Sequence, residues 1–276
     1  MIVVHSADEL RASLARTSHP VGFVPTMGAL HRGHASLFAA ARAKGRTVVA
    51  SIFVNALQFE NPDDLAKYPR TLEDDLEICR SAGVDVVYAP THDAMYPTGF
   101  ETVVSVGRLG RILEGADRPG HFDGVATVVT KLLSACRADV AYFGQKDLQQ
   151  VAVIRRIVTD LDIGTRIEVA PTVRDQDGLA LSSRNVRLSP AGRLKARAIP
   201  EALESARGLA SEGERSSAAI ASRVLDQLSS AGIQVHYAAV LNADTFEDRD
   251  TVGARSAALV AAVVDGVRLI DNVFLL

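Results

Sequence analysis

The sequence predicts an α/β protein, with a parallel sheet in a larger N-terminal domain (residues 1–175) and a smaller α+β C-terminal domain (residues 176–276). Three observations carry this reading. Short β-rich runs alternate with stretches of helical period from residue 21 to about residue 173. One run, TVVASIFVN at 47–55, is continuously apolar and β-branched in its first half, as a strand covered on both faces requires. Beyond residue 175 the alternation gives way to long Ala-, Arg- and Glu-rich helical stretches followed by three strand-like runs.

In order, VGFVP (21–25) reads as a strand, and HASLFAAARAKG (34–45) as a helix with a glycine stop. The strand at 47–55 follows, then an amphipathic helix over 71–83, again closed by glycine, and a strand over 84–90. A helix over 124–136, a strand over 139–144, a helix over 147–161 and a strand over 166–173 complete the sheet domain. The remainder reads as one long helix over 189–212, a second over 216–231, and strands over 233–241, 256–264 and 267–276. Asp265-Gly266 between the last two is a hairpin signal, and the hinge between domains falls near 174–188.

Composition narrows the class. The 276 residues are 47% hydrophobic and 23% charged, ordinary for a soluble globular chain, and the formal net charge of -3 points to no nucleic-acid or membrane partner. The two cysteines, Cys79 and Cys136, have no metal-ligand spacing and read as packing residues. With no signal-peptide pattern, and with the C-terminal apolar run broken by Asp265 and Arg268, the expectation is a cytoplasmic protein.

In parallel sheets of this kind ligands sit beyond the carboxyl ends of the strands, so the loops after the strands are the informative ones. FVPTMGALHRGH (23–34) places Gly28, Gly33 and two histidines, His31 and His34, where a strand becomes a helix. The first N–H groups and the dipole of that helix favour an anion, and imidazoles beside it can donate to developing negative charge. The plainer alternative is that the histidines cap the helix. YFGQKD (142–147) brings Lys146, a point charge suited to a triphosphate, with Asp147 at its mouth. Of Gln149 and Gln150, one is expected to face the cleft and the other solvent. PTVRDQDGLALSSRN (171–185) offers Ser182, Ser183 and Arg184 for phosphate oxygens, with Arg174 and Arg187 making the patch basic; its plainer reading is an N-cap and turn cluster. Asn55 and Gln58 stand directly after a buried strand and suit the hydroxyl, amide or carboxylate groups of a small substrate, while the rest of 52–70 is long enough to be a mobile cover. RPGHFDGV (118–125), with His121 and Asp123 ahead of a helix, reads first as a pocket-shaping turn. No P-loop, no GxGxxG after a strand and no GxSxG elbow is present.

Together these segments resemble the pantoate–β-alanine ligase family of the HxGH nucleotidyltransferase superfamily, across roughly residues 20–190. The resemblance implies a Rossmann-like N-terminal domain, a C-terminal lid domain, and ATP-dependent joining of pantoate and β-alanine through a pantoyl adenylate, with Mg²⁺ accompanying ATP. It implies that Met27, Gly28, Ala29, Leu30, His31, Arg32, Gly33 and His34 line the ATP site. Gly144, Gln145, Lys146 and Asp147 would also touch ATP, as would Val173, Leu181, Ser182, Ser183 and Arg184. His34, His31, Lys146 and Arg184 would stabilise the reacting phosphates. Gln58 and Gln150 would hold pantoate, and Gln58 would also meet β-alanine. A homodimer through the N-terminal domain is implied too. Asp74, Asp75 and Asp147 are the candidates for Mg²⁺. Two departures from the family pattern, Ala56 in place of proline and Leu181 in place of methionine, remove no reactive group. The open alternatives are another HxGH-superfamily nucleotidyltransferase acting on a small acid or phosphate, and a non-enzymatic nucleotide-binding regulator on the same fold.

Overall fold

The computed structural model describes residues 1–17, 20–60 and 62–276. These form two compact units, Met1–Gly144 with Val153–Ala170, and Gln145–Ala152 with Pro171–Leu276.

The first unit is built on six strands, β1 (Ile2–Val4), β2 (Val21–Thr26), β3 (Thr47–Ile52), β4 (Val86–Tyr88), β5 (Val140–Gly144) and β6 (Arg166–Ala170). All neighbouring pairs are parallel and the order is β1-β4-β3-β2-β5-β6. The chain steps outward from β2 through β3 to β4, then returns to place β5 on the other side of β2. The carboxyl end of β2 is therefore the switch point at which such sheets bind ligands. β2 and β3 are buried along almost their whole length, which accounts for the unbroken apolar run. Val24, Phe38, Val48, Ala50, Cys79 and Val87 belong to one core, formed where the helices Arg32–Ala43 and Leu72–Ser81 cover the sheet.

Beside the short helices His92–Met95 and Glu114–Asp117, the sequence reading missed β1 and the helix Ala7–Leu14. The helix carried a usable signal. Ser6 and Glu9 form a reciprocal capping box, and Leu10 and Leu14 supply its buried stripe. The helix expected over 124–136 starts at His121, so His121 and Asp123 lie in its first turn and not ahead of it.

The second unit has three antiparallel strands, β7 (Gln234–Asn242), β8 (Ser256–Val264) and β9 (Val267–Phe274), in sequential order. Ile199, Leu203, Ile220, Val224 and Val260 form its core with the helices Ala198–Ser211 and Ser217–Ser230. Asp265 and Gly266 both have positive φ, 53° and 72°, the pair that a type I′ turn requires. The single long helix expected over 189–212 is two, Pro190–Ala196 and Ala198–Ser211. Pro200 explains the break, because it has no N–H to donate to the carbonyl of Ala196. Among the described residues no helix is long and apolar enough to cross a membrane.

Candidate active site

In the first unit the site grows from the turn after β2. Thr26 Oγ1 donates to the Ser51 carbonyl at 2.7 Å and accepts from the Gly28 N–H at 3.2 Å, which ties the turn to the neighbouring strand. Gly28 has φ +81°, and a Cβ there would lie 2.8 Å from Asp75 Oδ2, so geometry and space both require glycine. The Ala29 and Leu30 amides donate to the two oxygens of Asp75, at 3.0 and 2.7 Å, and Asp75 is only 1% exposed. This carboxylate, offered above as a magnesium ligand, is thus a buried clamp on the turn. Leu30 points its side chain into the core.

His31 is the N-cap of the helix Arg32–Ala43. Its Nδ1 accepts from the Gly33 N–H at 3.1 Å, and His34 Nδ1 accepts from the His31 N–H at 3.2 Å. The two rings lie 4.2 Å apart between centroids. This capping box built from imidazoles revises one expectation. The amides of His31, Gly33, Ala29 and Leu30 are taken up within the turn, so these backbone groups are not the ones that meet an anion directly. The caps fix the tautomers instead. An Nδ1 that accepts a backbone N–H carries no proton, so each neutral ring bears its proton on Nε2. Capping and chemistry, posed above as alternatives, are compatible: one nitrogen caps and the other is a donor.

Gln58 lies beside this turn. Its Nε2 approaches Met27 Sδ at 2.8 Å, and the residue is 7% exposed. Its backbone carbonyl accepts from His121 Nδ1 at 2.8 Å and from Arg118 Nη2 at 3.3 Å, while Arg118 Nη1 meets His121 Nε2 at 3.2 Å. His121 therefore braces the Gln58 backbone from the first turn of its helix. The helix His121–Cys136 reaches the Gln58 backbone so closely that a Cβ on Gly124 would lie 2.4 Å from the Leu57 carbonyl oxygen. Asn55, expected at the substrate, is 1% exposed and turned inward. Its Nδ2 donates to Gln58 Oε1 at 3.1 Å and to the Gly124 carbonyl at 3.0 Å, and its Oδ1 accepts from Tyr96 Oη at 2.7 Å. Burial pushes the Tyr96 phenol well above its usual range. The stretch after Gln58 is not a plain loop. It holds a short helix, Pro62–Ala66, and Phe59 sets its ring against Tyr68 at 5.5 Å; Asn61, inside the expected cover, lies outside the described residues.

In the second unit, Gln145–Asp147 forms a single 3-10 turn. Asn272 on β9, 2% exposed, donates to the carbonyls of Gln145 and Lys146, both at 3.0 Å, and accepts from Gln145 Nε2 at 3.2 Å. Lys146 Nζ lies 3.5 Å from Asp147 Oδ1. Gln149 is buried and Gln150 half-buried, so neither is the solvent-facing partner expected of the pair. The loop 171–185 folds back on itself, with the Leu181 N–H donating to the Val173 carbonyl at 2.9 Å. Arg174 does not add a free cation to the expected basic patch, because it makes a bidentate pair with buried Asp271 at 2.6 and 3.0 Å. Arg193 holds Asp175 and Asp177, at 2.6 and 2.7 Å. Ser182 caps the 3-10 turn Ser183–Arg187 by accepting from the Arg184 N–H at 3.2 Å, and Asn185 donates to the Ala180 carbonyl at 3.0 Å.

Sequence reasoning missed Asn272, Tyr96 and the clamp that Asp75 makes on the turn. Each acts on a segment far away in the chain, and the local sequence around it carries no signal of that contact.

Comparisons with known proteins agree with this architecture. The family model described as pantoate-beta-alanine ligase matches residues 2–274. A pantothenate synthetase of Cereibacter sphaeroides is 48% identical over 274 residues, covering 98% of both chains. The crystal structure of pantothenate synthetase from Thermus thermophilus superposes with a TM-score of 0.95 at 44% identity, covering 100% of this chain and 99% of that one. A pantoate-beta-alanine ligase from Francisella tularensis, complexed with beta-gamma ATP and beta-alanine, gives 0.84 at 35% identity, covering 99% and 97%. On the matched length and the shared fold, the chain belongs to the pantoate–β-alanine ligase family.

Proposed function

We propose that the chain joins pantoate to β-alanine at the expense of ATP in two steps. The carboxylate of pantoate attacks the α-phosphorus of ATP, forming pantoyl adenylate and expelling pyrophosphate. The amine of β-alanine then attacks the acyl carbon, forming the amide and expelling AMP. The observation that carries the reading is the contact of Gln58 with Met27. The glutamine suited to a small hydroxy acid touches the turn suited to a nucleotide, so acid and nucleotide would bind side by side. In-line placement of two such reactants can contribute on the order of 7–11 kcal/mol.

The residue roles follow from the site chemistry and the family. His31 and His34 direct Nε2–H groups at the phosphates, and Lys146 and Arg184 add positive charge as pyrophosphate leaves. The turn Met27–His34, the segment Gly144–Asp147, Val173 and the segment Leu181–Arg184 bind the nucleotide. Gln58 and Gln150 hold pantoate. The adenylate is labile to water, so its site must exclude bulk solvent while the amine attacks. Among the described residues no three His, Cys, Asp or Glu side chains gather as a cation cage, and Asp75 is occupied by backbone amides. Mg²⁺ held by the triphosphate oxygens would need no such cage, only one or two carboxylates, for which Asp74 and Asp147 remain the candidates. Two buried free thiols suit a reducing, cytoplasmic setting. The homodimer that the family implies is checked by sedimentation.

Incubation with ATP and pantoate, followed by β-alanine, tests the function. The expected result is pantoate-dependent exchange of pyrophosphate into ATP, then pantothenate and AMP in equal amounts. A nucleotide conjugate that survives as product, or no pantothenate, would overturn the reading in favour of another nucleotidyltransferase.

A further inference from the structure

The amide of Gln58 can present either an acceptor or two donors to a substrate, and the two choices are nearly identical in shape. The fold decides between them. The Gly124 carbonyl can only accept, so it holds the Nδ2 side of Asn55. That same Nδ2 then faces Gln58 and requires an acceptor there, which is Oε1, at 3.1 Å. The Nε2 of Gln58 is left on the far side, against Met27. The arrangement leaves Asn55 Oδ1 buried, and Tyr96 Oη satisfies it at 2.7 Å. Tyr96 is itself held firmly. Its ring packs on Phe53 and Phe100, with centroids 6.0 and 4.9 Å away, and Lys131 Nζ lies 5.9 Å from the ring centre.

We propose that Tyr96 is a positioning residue which, through Asn55, locks the Gln58 amide with Oε1 turned inward and Nε2 outward, so that the N–H not given to Met27 is the one offered to the substrate and the group recognised there is an acceptor such as the ionised carboxylate of the acid. The proposal rests on the reading of Gln58 as the pantoate residue and adds the polarity of that contact and the residues that set it. Neither Tyr96 nor Asn55 need touch substrate. Two variants probe the relay at different points. Tyr96→Phe keeps the ring packing and removes only the hydroxyl. Asn55→Asp replaces the donor facing Gln58 by an acceptor, which favours the reversed amide and turns Oε1 outward.

The test is steady-state pantothenate formation by the full chain, with wild type measured first and folding of both variants checked by circular dichroism. Tyr96→Phe is expected to raise KM for pantoate about three- to tenfold, the range for one net hydrogen bond, with KM for ATP and kcat unchanged. Asn55→Asp is expected to raise the pantoate KM much further, by roughly 100-fold, because an acceptor would then face an acceptor. A general loss of structure would move both KM values and kcat together. An unchanged pantoate KM in folded Tyr96→Phe, or equal rises for pantoate and ATP, overturns the proposal even if Asn55→Asp fails to fold. Wild-type protein that makes no pantothenate overturns the parent reading, and that control is read before either variant.

Discussion

The turn at residues 26–34 and the loop at 171–188 both carry residues suited to phosphate, yet they are built in opposite ways. The first is fixed throughout. Asp75 clamps its amides, Thr26 ties it to β3, and the two histidines cap their own helix. The second is pinned at its base, where Asp271 takes Arg174 and Arg193 takes Asp175 and Asp177. Its serine–arginine end is organised by a single-turn cap at Ser182. The contrast teaches that residues chosen for charge need not all act on the ligand. In the rigid turn the acid that seems suited to a metal holds the backbone, and in the loop one arginine that seems suited to phosphate holds a neighbouring strand.

The largest expected effects separate chemistry from scaffolding across the two regions. His34→Ala and Lys146→Ala are each predicted to lower kcat/KM about 10²- to 10³-fold, the cost of losing one donor to developing charge. Only His34→Ala should also lower stability, by about 1 kcal/mol, since His34 accepts from the His31 amide. Thermal melting with steady-state rates checks this. Equal melting temperatures for both variants would mean that the imidazole cap is energetically idle.

Asp75→Ala is next. It strands two amides of the turn and is predicted to cost roughly 2–4 kcal/mol of stability. Denaturant titration measures that loss, and a variant as stable as wild type would show that the turn does not depend on the clamp. Arg174→Ala, which leaves buried Asp271 without its guanidinium, is predicted to cost about 1–3 kcal/mol, less than for a fully buried pair because Arg174 is partly exposed. Its ATP KM should move less than threefold. A tenfold rise in that KM with unchanged melting would return Arg174 to the phosphate patch.

The smallest effect is common to the buried thiols. Burial pushes Cys79 and Cys136 up to about 12, so both stay protonated in the folded chain. A raised thiol pKa gives stability that is fully present below the unfolded value near 8.5 and is lost as pH climbs toward the folded value. At pH 9 the loss should stay under about 1 kcal/mol per thiol. Comparing denaturation at pH 7.5 and 9 for wild type and a Cys79→Ala/Cys136→Ala variant checks it, with the variant showing the flatter dependence.

What could be read from the sequence was local. The alternation of strands and helices, the histidine turn, and the Asp265-Gly266 hairpin each depend on residues a few positions apart, where backbone geometry leaves few choices. Pro200, which splits one helix, and Ser6 with Glu9, which start another, were equally local and could have been read. The clamp from Asp75 to Leu30 spans 45 positions, and the contact of Gln145 with Asn272 spans 127. Such pairs are selected by strand order and not by neighbouring residues. A carboxylate holding amides and one holding a cation look alike until the strands are in place.

The proposed function requires that the rigid turn and the lysine segment act on one triphosphate in one step. Mixing enzyme and ATP with pantoate alone, and following pyrophosphate under single-turnover conditions, tests it most directly. The account predicts a burst of one pyrophosphate per active site in wild type before any β-alanine is added, slowed about 10²- to 10³-fold in both His34→Ala and Lys146→Ala. A burst at the wild-type rate in either variant, or pyrophosphate release that waits for β-alanine, would contradict it.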